Sequence, residues 1–448
     1  MENSIILGIL AIYLTTIIAI GLYTSRKVRS VKGFFLADRS LGWFSLTATI
    51  TATTVGGSAT IATGALIYVS GLPGIWLDIG GAIGLVILGL TLAKMVRKTG
   101  LFTLPEISGF LYDKKVRYAA AILILITQVA WISLLIQAAQ AVLYVVFPLN
   151  YEILLIIITL IFICYTLIGG QFAVVYTDII QFIVMIIGVC IIATPIIFMQ
   201  ASDIFGNISV EHLSFPVNTS IGVLPVFSFF FMMLMPHIVG PDIYSKILSA
   251  KNEKTAKQGA ILSGIFKFIF AIAVGIIALS AVVLYPNLEN ASLAIPTAIL
   301  SIPPVFAGFV LAAFISVMLS SADSVLLSSG TVISIDITQK KNIIVSRFGI
   351  LIVGLLALAL ALYLKDIIDT LKLAYTVFTS GLTFPIIFGF YNDKTHVTSN
   401  GAFFSLIFGG GISLIWFFIG SPYIDAVLIG MVFSLVPLLI LREKKIKK

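Results

Sequence analysis

Ser320, Ser321, Asp323 and Ser324 stand within little more than one helical turn, inside an apolar stretch that runs from 304 to 334. Hydroxyls are hard oxygen donors that hold a dehydrated monovalent cation without the strength that would trap it. Residues three or four apart share a helix face, so these hydroxyls can act together. Hydroxyl-rich helices also arise for packing alone, and spacing does not separate the two readings. Asp323 adds weight to the ion reading, because a carboxylate at membrane depth is costly unless it is partnered or neutral. Asp178 is a second such acid, at the end of the string Gly169-Gly170-Gln171-Phe172-Ala173-Val174-Val175-Tyr176-Thr177-Asp178. Both acids read as ion or proton positions, against the alternative of a carboxylate satisfied by neighbouring hydroxyls. Asp78 reads equally as a residue near the outer interface, and Lys267 as one that snorkels toward the inner interface.

The elements that must hold these groups are helices in lipid. Of 448 residues, 60% are apolar and only 10% charged, too little charge to cover a soluble domain of that size. Stretches long enough to cross a hydrocarbon layer of roughly 30 Å fall at 4–24, 43–70, 73–94, 117–147, 152–169, 174–199, 222–240, 258–285, 304–334, 343–364, 368–390, 400–420 and 423–441. That makes about thirteen transmembrane helices in an all-α integral membrane protein. The connections 25–42, 94–117, 241–257, 335–347 and 391–399, with the tail after Leu441, hold 24 of the 27 Lys and Arg. One consistent orientation satisfies the positive-inside rule, with the N-terminus outside and the C-terminus cytoplasmic in a plasma membrane. The net charge of +8 is thus topology and contact with anionic lipid, not a nucleic-acid surface. No small-residue cleavage pattern follows the first stretch, which reads as a retained span. Cys164 and Cys190 lie in apolar runs without metal-ligand spacing and read as small core residues.

Two stretches are poor helices. The one from Trp43 to Ser70 carries Thr47, Thr49, Thr51, Thr53, Thr54, Gly56, Gly57, Ser58, Thr60, Thr63 and Gly64, and the one from Gly222 to Gly240 carries Pro225 and Pro236 with Pro241 following. A break at membrane depth is tolerated where it lines a cavity or is buried in protein. These are the second and seventh stretches, five apart, which suits two inverted five-helix repeats with ions and solute bound between them. Small residues also permit close helix packing, and that alternative stays open.

Arg39-Ser40-Leu41-Gly42, the Thr/Gly-rich stretch after it, the Gly169-Gly170 to Asp178 and Gln181 string, and the Ser320-Ser321 cluster leading to Asp336 resemble the sodium/solute symporter family of proline, pantothenate and sugar permeases. The resemblance implies a LeuT-like core of five plus five helices. It divides one membrane domain, 1–448, into a leading helix and loop (1–42), a first repeat (43–199), a second repeat (222–391) and two trailing helices with a basic tail (400–448). It places a sodium ion on Ala52, Val55, Val317, Ser320 and Ser321. In branches with a second sodium it adds Asp178 and Ser324. Asp323 stands where a hydroxyl is common, which suggests that Asp178, Asp323 and Ser324 share a second cation or a proton, since two close carboxylates cannot both ionise cheaply. The amides of the sugar branch are lost at Thr54 and Ala59, so a sugar is disfavoured. Candidate solute-binding residues are Thr54, Gly57, Ser58, Trp76, Gln128, Trp131, Gln137, Phe227, Met235 and His237.

The function expected is sodium-coupled symport of a small organic solute, such as an amino acid, vitamin or carboxylate, by alternating access. The coupling ion is Na+ and the surroundings are lipid, with no obligate protein partner evident. A proton-coupled permease of the same fold is the nearest rival, and a solute-sensing membrane module a more distant one, disfavoured by the few residues after Leu441. An enzyme is not expected, since the three His and scattered acids make no nucleophile, metal or acid/base set.

Overall fold

The computed structural model describes residues 2–26, 30–201, 206, 208–420 and 424–443. The described residues form helices joined by turns, with two isolated β-bridges and no strand. Among the described residues, ten helices are long and apolar enough to cross a membrane. In chain order the principal helices are α1 (Glu2–Ser25), α2 (Trp43–Thr54), α3 (Thr63–Ser70), α4 (Trp76–Leu90), α5 (Lys114–Tyr144), α6 (Tyr151–Met185) and α7 (Val223–Ile238). They continue as α8 (Pro241–Ser249), α9 (Glu253–Leu284), α10 (Pro304–Val332), α11 (Ile343–Tyr363), α12 (Ile367–Phe390), α13 (Ser399–Ile419) and α14 (Ala426–Ile440).

Three of the expected spans are not single long helices, and two of them have a local cause. The 43–70 stretch is broken, because Val55, Gly56 and Gly57 leave the helix between α2 and the π-helical turn over Ser58–Ala62. The expected loop between 169 and 174 shrinks to a kink inside α6, where Gly170 adopts φ 63° and ψ −179°. An L side chain is strained there, and a Cβ would also lie 2.6 Å from Cδ2 of Phe34. Gly170 thus divides the chain into a short apolar helix over Tyr151–Leu167 and a long one that begins at Gly169 and continues beyond Met185 through a π-helical stretch, Ile186–Ala193, to Gln200. α14 spans only 15 residues. A short apolar helix over Ala291–Leu300, not expected, precedes α10.

The 222–240 stretch extends further than its apolar run suggests. Pro236 sits inside α7, Val239 and Gly240 interrupt it, and Pro241 opens α8 at the position where a missing N–H costs nothing. Pro236 cannot donate to the carbonyl four residues earlier, Met232, and the Thr379 hydroxyl on α12 donates to it at 3.1 Å instead. Polar N-caps start many of the long helices, among them Asp113 on the N–H of Val116, Asn252 on that of Thr255 and Thr398 on that of Gly401.

α10 is the axis of the bundle. Every residue from Val310 to Val332 is buried, and the helix packs against α1, α2, α5, α6 and α11. α2 lies between α6, α9 and α10, while α4 lies against α7 and α9. α13 and α14 pack on each other and on α12, outside this assembly. Cys164 is exposed and Cys190 partly so, which corrects their reading as core residues. Both look out from α6 and the π-helical stretch after it, where a small thiol meets lipid without cost.

Candidate functional site

Unwinding α2 frees carbonyls that something must satisfy, since unpaired backbone groups at this depth are costly. Two side chains from other helices do so. Ser321 Oγ lies 2.7 Å from the Thr53 carbonyl and 3.0 Å from that of Val317. Lys267 Nζ donates to the Thr54 carbonyl at 2.7 Å. Gly56 is pressed so close to Ser321 that a Cβ there would lie 2.9 Å from the serine Cβ. The interruption of α2 and the hydroxyls of α10 therefore meet at one point, with Ala52 and Val55 on either side of Thr53 and Thr54.

A second cluster adjoins it. Asp178, from α6 beyond the Gly170 kink, is wholly buried; its Oδ1 accepts from Ser320 Oγ at 2.6 Å. Its Oδ2 accepts from Thr49 Oγ1 of α2 and from Lys246 Nζ of α8, the latter at 3.0 Å. Lys246 is as buried as its partner. Asp323 does not share these donors. Ser324 Oγ lies 3.4 Å from its Oδ1 and 3.0 Å from Thr53 Oγ1, while Oδ2 has no partner. Asp323 also lines a small cavity with Gly21, Tyr165, Thr166 and Val174.

A third cluster lies on the other side of the α2 break. Lys267 of α9 pairs with Asp78 of α4 at 3.0 Å, both buried. Around Gly81 the Lys267 side chain approaches His237 of α7: a Cβ on that glycine would be 3.0 Å from His237 Cε1. The His237 Nδ1 lies 2.7 Å from the Met233 carbonyl, which only accepts, so Nδ1 carries the proton. Its Nε2 and the second Asp78 oxygen are buried without partners, unspent polar groups beside the break.

The lysines correct two readings of the sequence. Lys267 does not snorkel: it lies 14 residues into α9, about 21 Å from its start at 1.5 Å per residue, beyond the side chain's reach. Lys246 is not part of a cytoplasmic connection, because α8 resumes the helix after Gly240 and carries it inside. The signal was present in Gly240-Pro241, a helix start as much as a helix stop.

The candidate solute residues divide. Thr54, His237, Met235 and Trp131 are buried, Trp131 with its ring 5.1 Å from that of Tyr375. Thr54 Oγ1 donates back to the Ile50 carbonyl at 2.8 Å. Gly57 abuts Leu135 and Ala138, a close crossing of α5. Gln128 spends its amide on Ser328 (3.1 Å) and accepts from Ser329 (2.7 Å), bridging α5 to α10. Gln137 donates to the Leu364 carbonyl. Phe227 does not join the buried set: it is 50% exposed on the outer face of α7. Trp76 stands at the rim, stacked on Phe215 and donating to the Pro216 carbonyl at 3.1 Å. The Ser58 side chain lies outside the described residues.

Comparison with known proteins agrees with this architecture. A sodium/pantothenate symporter of Haemophilus influenzae is 26% identical, over 100% of this chain and 98% of its own length. A high-affinity choline transporter of Caenorhabditis elegans is 26% identical over 81% of this chain and 70% of its own, and a sodium/glucose cotransporter of Vibrio parahaemolyticus 24% over 96% and 88%. In solved structures, a Na+-coupled sialic acid symporter in a substrate-bound outward-open state superposes with a TM-score of 0.81, at 18% identity, covering 97% of each chain. Mhp1, a nucleobase-cation-symport-1 family transporter, gives 0.61 at 13% identity over 91% of this chain and 92% of its own. These relatives are transporters, not enzymes. The Sodium:solute symporter family matches residues 34–409, most of the chain, and this multi-pass membrane protein belongs to that family.

Proposed function

We propose that the chain is a sodium-coupled symporter of a small organic solute, with sodium held by the Ala52, Val55 and Val317 carbonyls and the Ser320 and Ser321 hydroxyls. The observation that carries this reading is the contact of Ser321 Oγ with the Thr53 and Val317 carbonyls, which brings the interrupted helix and the hydroxyl pair together. A hydroxyl that donates its proton to a carbonyl or carboxylate keeps lone pairs for a cation, and both Ser320 and Ser321 do so. The relatives' sodium dependence supports the same assignment.

Thirteen spans with the N-terminus outside and the tail cytoplasmic in a plasma membrane suit this function. Solute is then recognised beside the α2 break, by Thr54, Trp131, His237, Lys267 and Asp78. Such a mixture of buried cation, anion and imidazole suits a solute with both charged or polar ends and an apolar body, such as an amino acid, vitamin or small carboxylate. Sodium favours the outward-open arrangement that accepts solute, so each improves binding of the other by one shared factor. Inward sodium adds roughly 2.3 kcal/mol per charge for each 100 mV of membrane potential.

The test is uptake of radiolabelled amino acids, vitamins and carboxylates into proteoliposomes, with and without a sodium gradient. At least one solute accumulates only with sodium, and Ser321→Ala raises the sodium concentration for half-maximal uptake about tenfold, the equivalent of one hydrogen bond to an ion. Accumulation driven by a pH gradient alone would favour proton coupling instead, the reading that the unpartnered oxygen of Asp323 keeps in view. In that case Asp323→Ser abolishes the pH dependence; an unchanged profile excludes Asp323 as the proton site.

A further inference from the structure

Lys246 is a buried charge that the proposed sodium site does not use. Its ammonium is on Asp178 Oδ2 at 3.0 Å, with neither side chain reaching the surface. The same carboxylate takes the hydroxyls of Thr49 and Ser320. A carboxylate offers about four acceptor directions, and three of Asp178's are thus filled. A sodium ion placed there would need several oxygens of its own and would sit within a few ångströms of the ammonium, where burial of both side chains leaves the repulsion weakly screened. Asp178 is therefore already neutralised by the protein itself.

We propose that the Lys246 ammonium is a tethered cation filling the second cation position on Asp178, so that the chain binds one free sodium where removal of the ammonium would let it bind another. Only the count of one, at the Ser320–Ser321 site, rests on the function proposed above; the exchange of ammonium for sodium at Asp178 does not. α8 positions the lysine. The break at Val239–Gly240 allows this short helix to pack on both α2 and α10, and Lys246 sits in its second turn. Had the chain left the bilayer after Gly240, this charge would lie in solvent and the Asp178 position would be open.

The experiment counts sodium on the purified full-length protein by equilibrium binding of radioactive sodium, for wild type, Lys246→Gln, Lys246→Arg and the double variant Lys246→Gln with Asp178→Asn. Lys246→Gln is expected to bind one sodium more than wild type, a rise from one to two ions per chain at saturation. Lys246→Arg and the double variant keep the wild-type count, because one retains the tethered charge and the other removes the carboxylate that would attract sodium. A Lys246→Gln protein with the wild-type count overturns the proposal. So does a wild type that binds two, a result readable even if Lys246→Gln does not fold. A wild type that binds no sodium removes the sodium reading of Ser320 and Ser321 but not this one, which then stands or falls on whether Lys246→Gln gains a single ion.

Discussion

At the scale of single residues, the two buried lysines of the interior, Lys246 and Lys267, are paired because they cannot be solvated. Breaking a buried pair by removing one partner costs more than removing both, since the survivor is left as an uncompensated charge. Lys267 and Asp78 meet that description, with Lys267 also holding the Thr54 carbonyl. Lys267→Ala should lower stability by about 3–5 kcal/mol, read as an earlier unfolding transition in detergent. Lys267→Met with Asp78→Leu should recover most of that loss. A double variant whose loss is the sum of the two single losses would mean that the pair is not coupled. Uptake should stay impaired in both if these residues face solute, which separates a binding role from a merely structural one.

At the scale of elements, two interruptions are matched by side chains on neighbouring helices, the α2 break by Ser321 and Lys267 and the proline of α7 by Thr379. Pro236 frees the Met232 carbonyl and Thr379 of α12 takes it. Thr379→Val should therefore cost about 1–3 kcal/mol in the native sequence, the penalty of a buried acceptor left alone. The same change should cost little when Pro236→Ala has restored the N–H. The cycle is measured by thermal unfolding of the four proteins, and additive effects would refute the exchange. Gly56 gives a second expectation at this scale. Gly56→Ala places a Cβ 2.9 Å from the Ser321 Cβ, so α2 and α10 must separate and sodium-dependent uptake should be lost while the protein still folds.

At the scale of the whole molecule, the arrangement of basic connections sets how the bundle lies in the bilayer. Correcting Lys246 removes one charge from the 241–257 connection, expected on the cytoplasmic side, and leaves Lys251, Lys254 and Lys257 there, so the expected bias survives. In a background without Cys164 and Cys190, Glu289→Cys should react with an impermeant thiol reagent added outside intact cells. Lys254→Cys should react only after permeabilisation. The reverse pattern would invert the orientation.

Hydropathy and charge were enough to specify a membrane bundle, because lipid demands long apolar helices and cytoplasmic lysines wherever the chain crosses it. The Thr/Gly run of 43–70 announced a helix that could not stay continuous, and the serine pair of α10 announced hard oxygen donors. What the sequence could not assign was the partner of each buried charge. Lys246 and Asp178 are 68 residues apart, and Lys267 and Asp78 are 189 apart. Only the packing of α8 on α2 and of α9 on α4 brings them within 3.0 Å. A lysine reads as solvated from its neighbours in the chain. Whether it is instead a cation inside the protein depends on which helices surround it, and tertiary structure alone decides that.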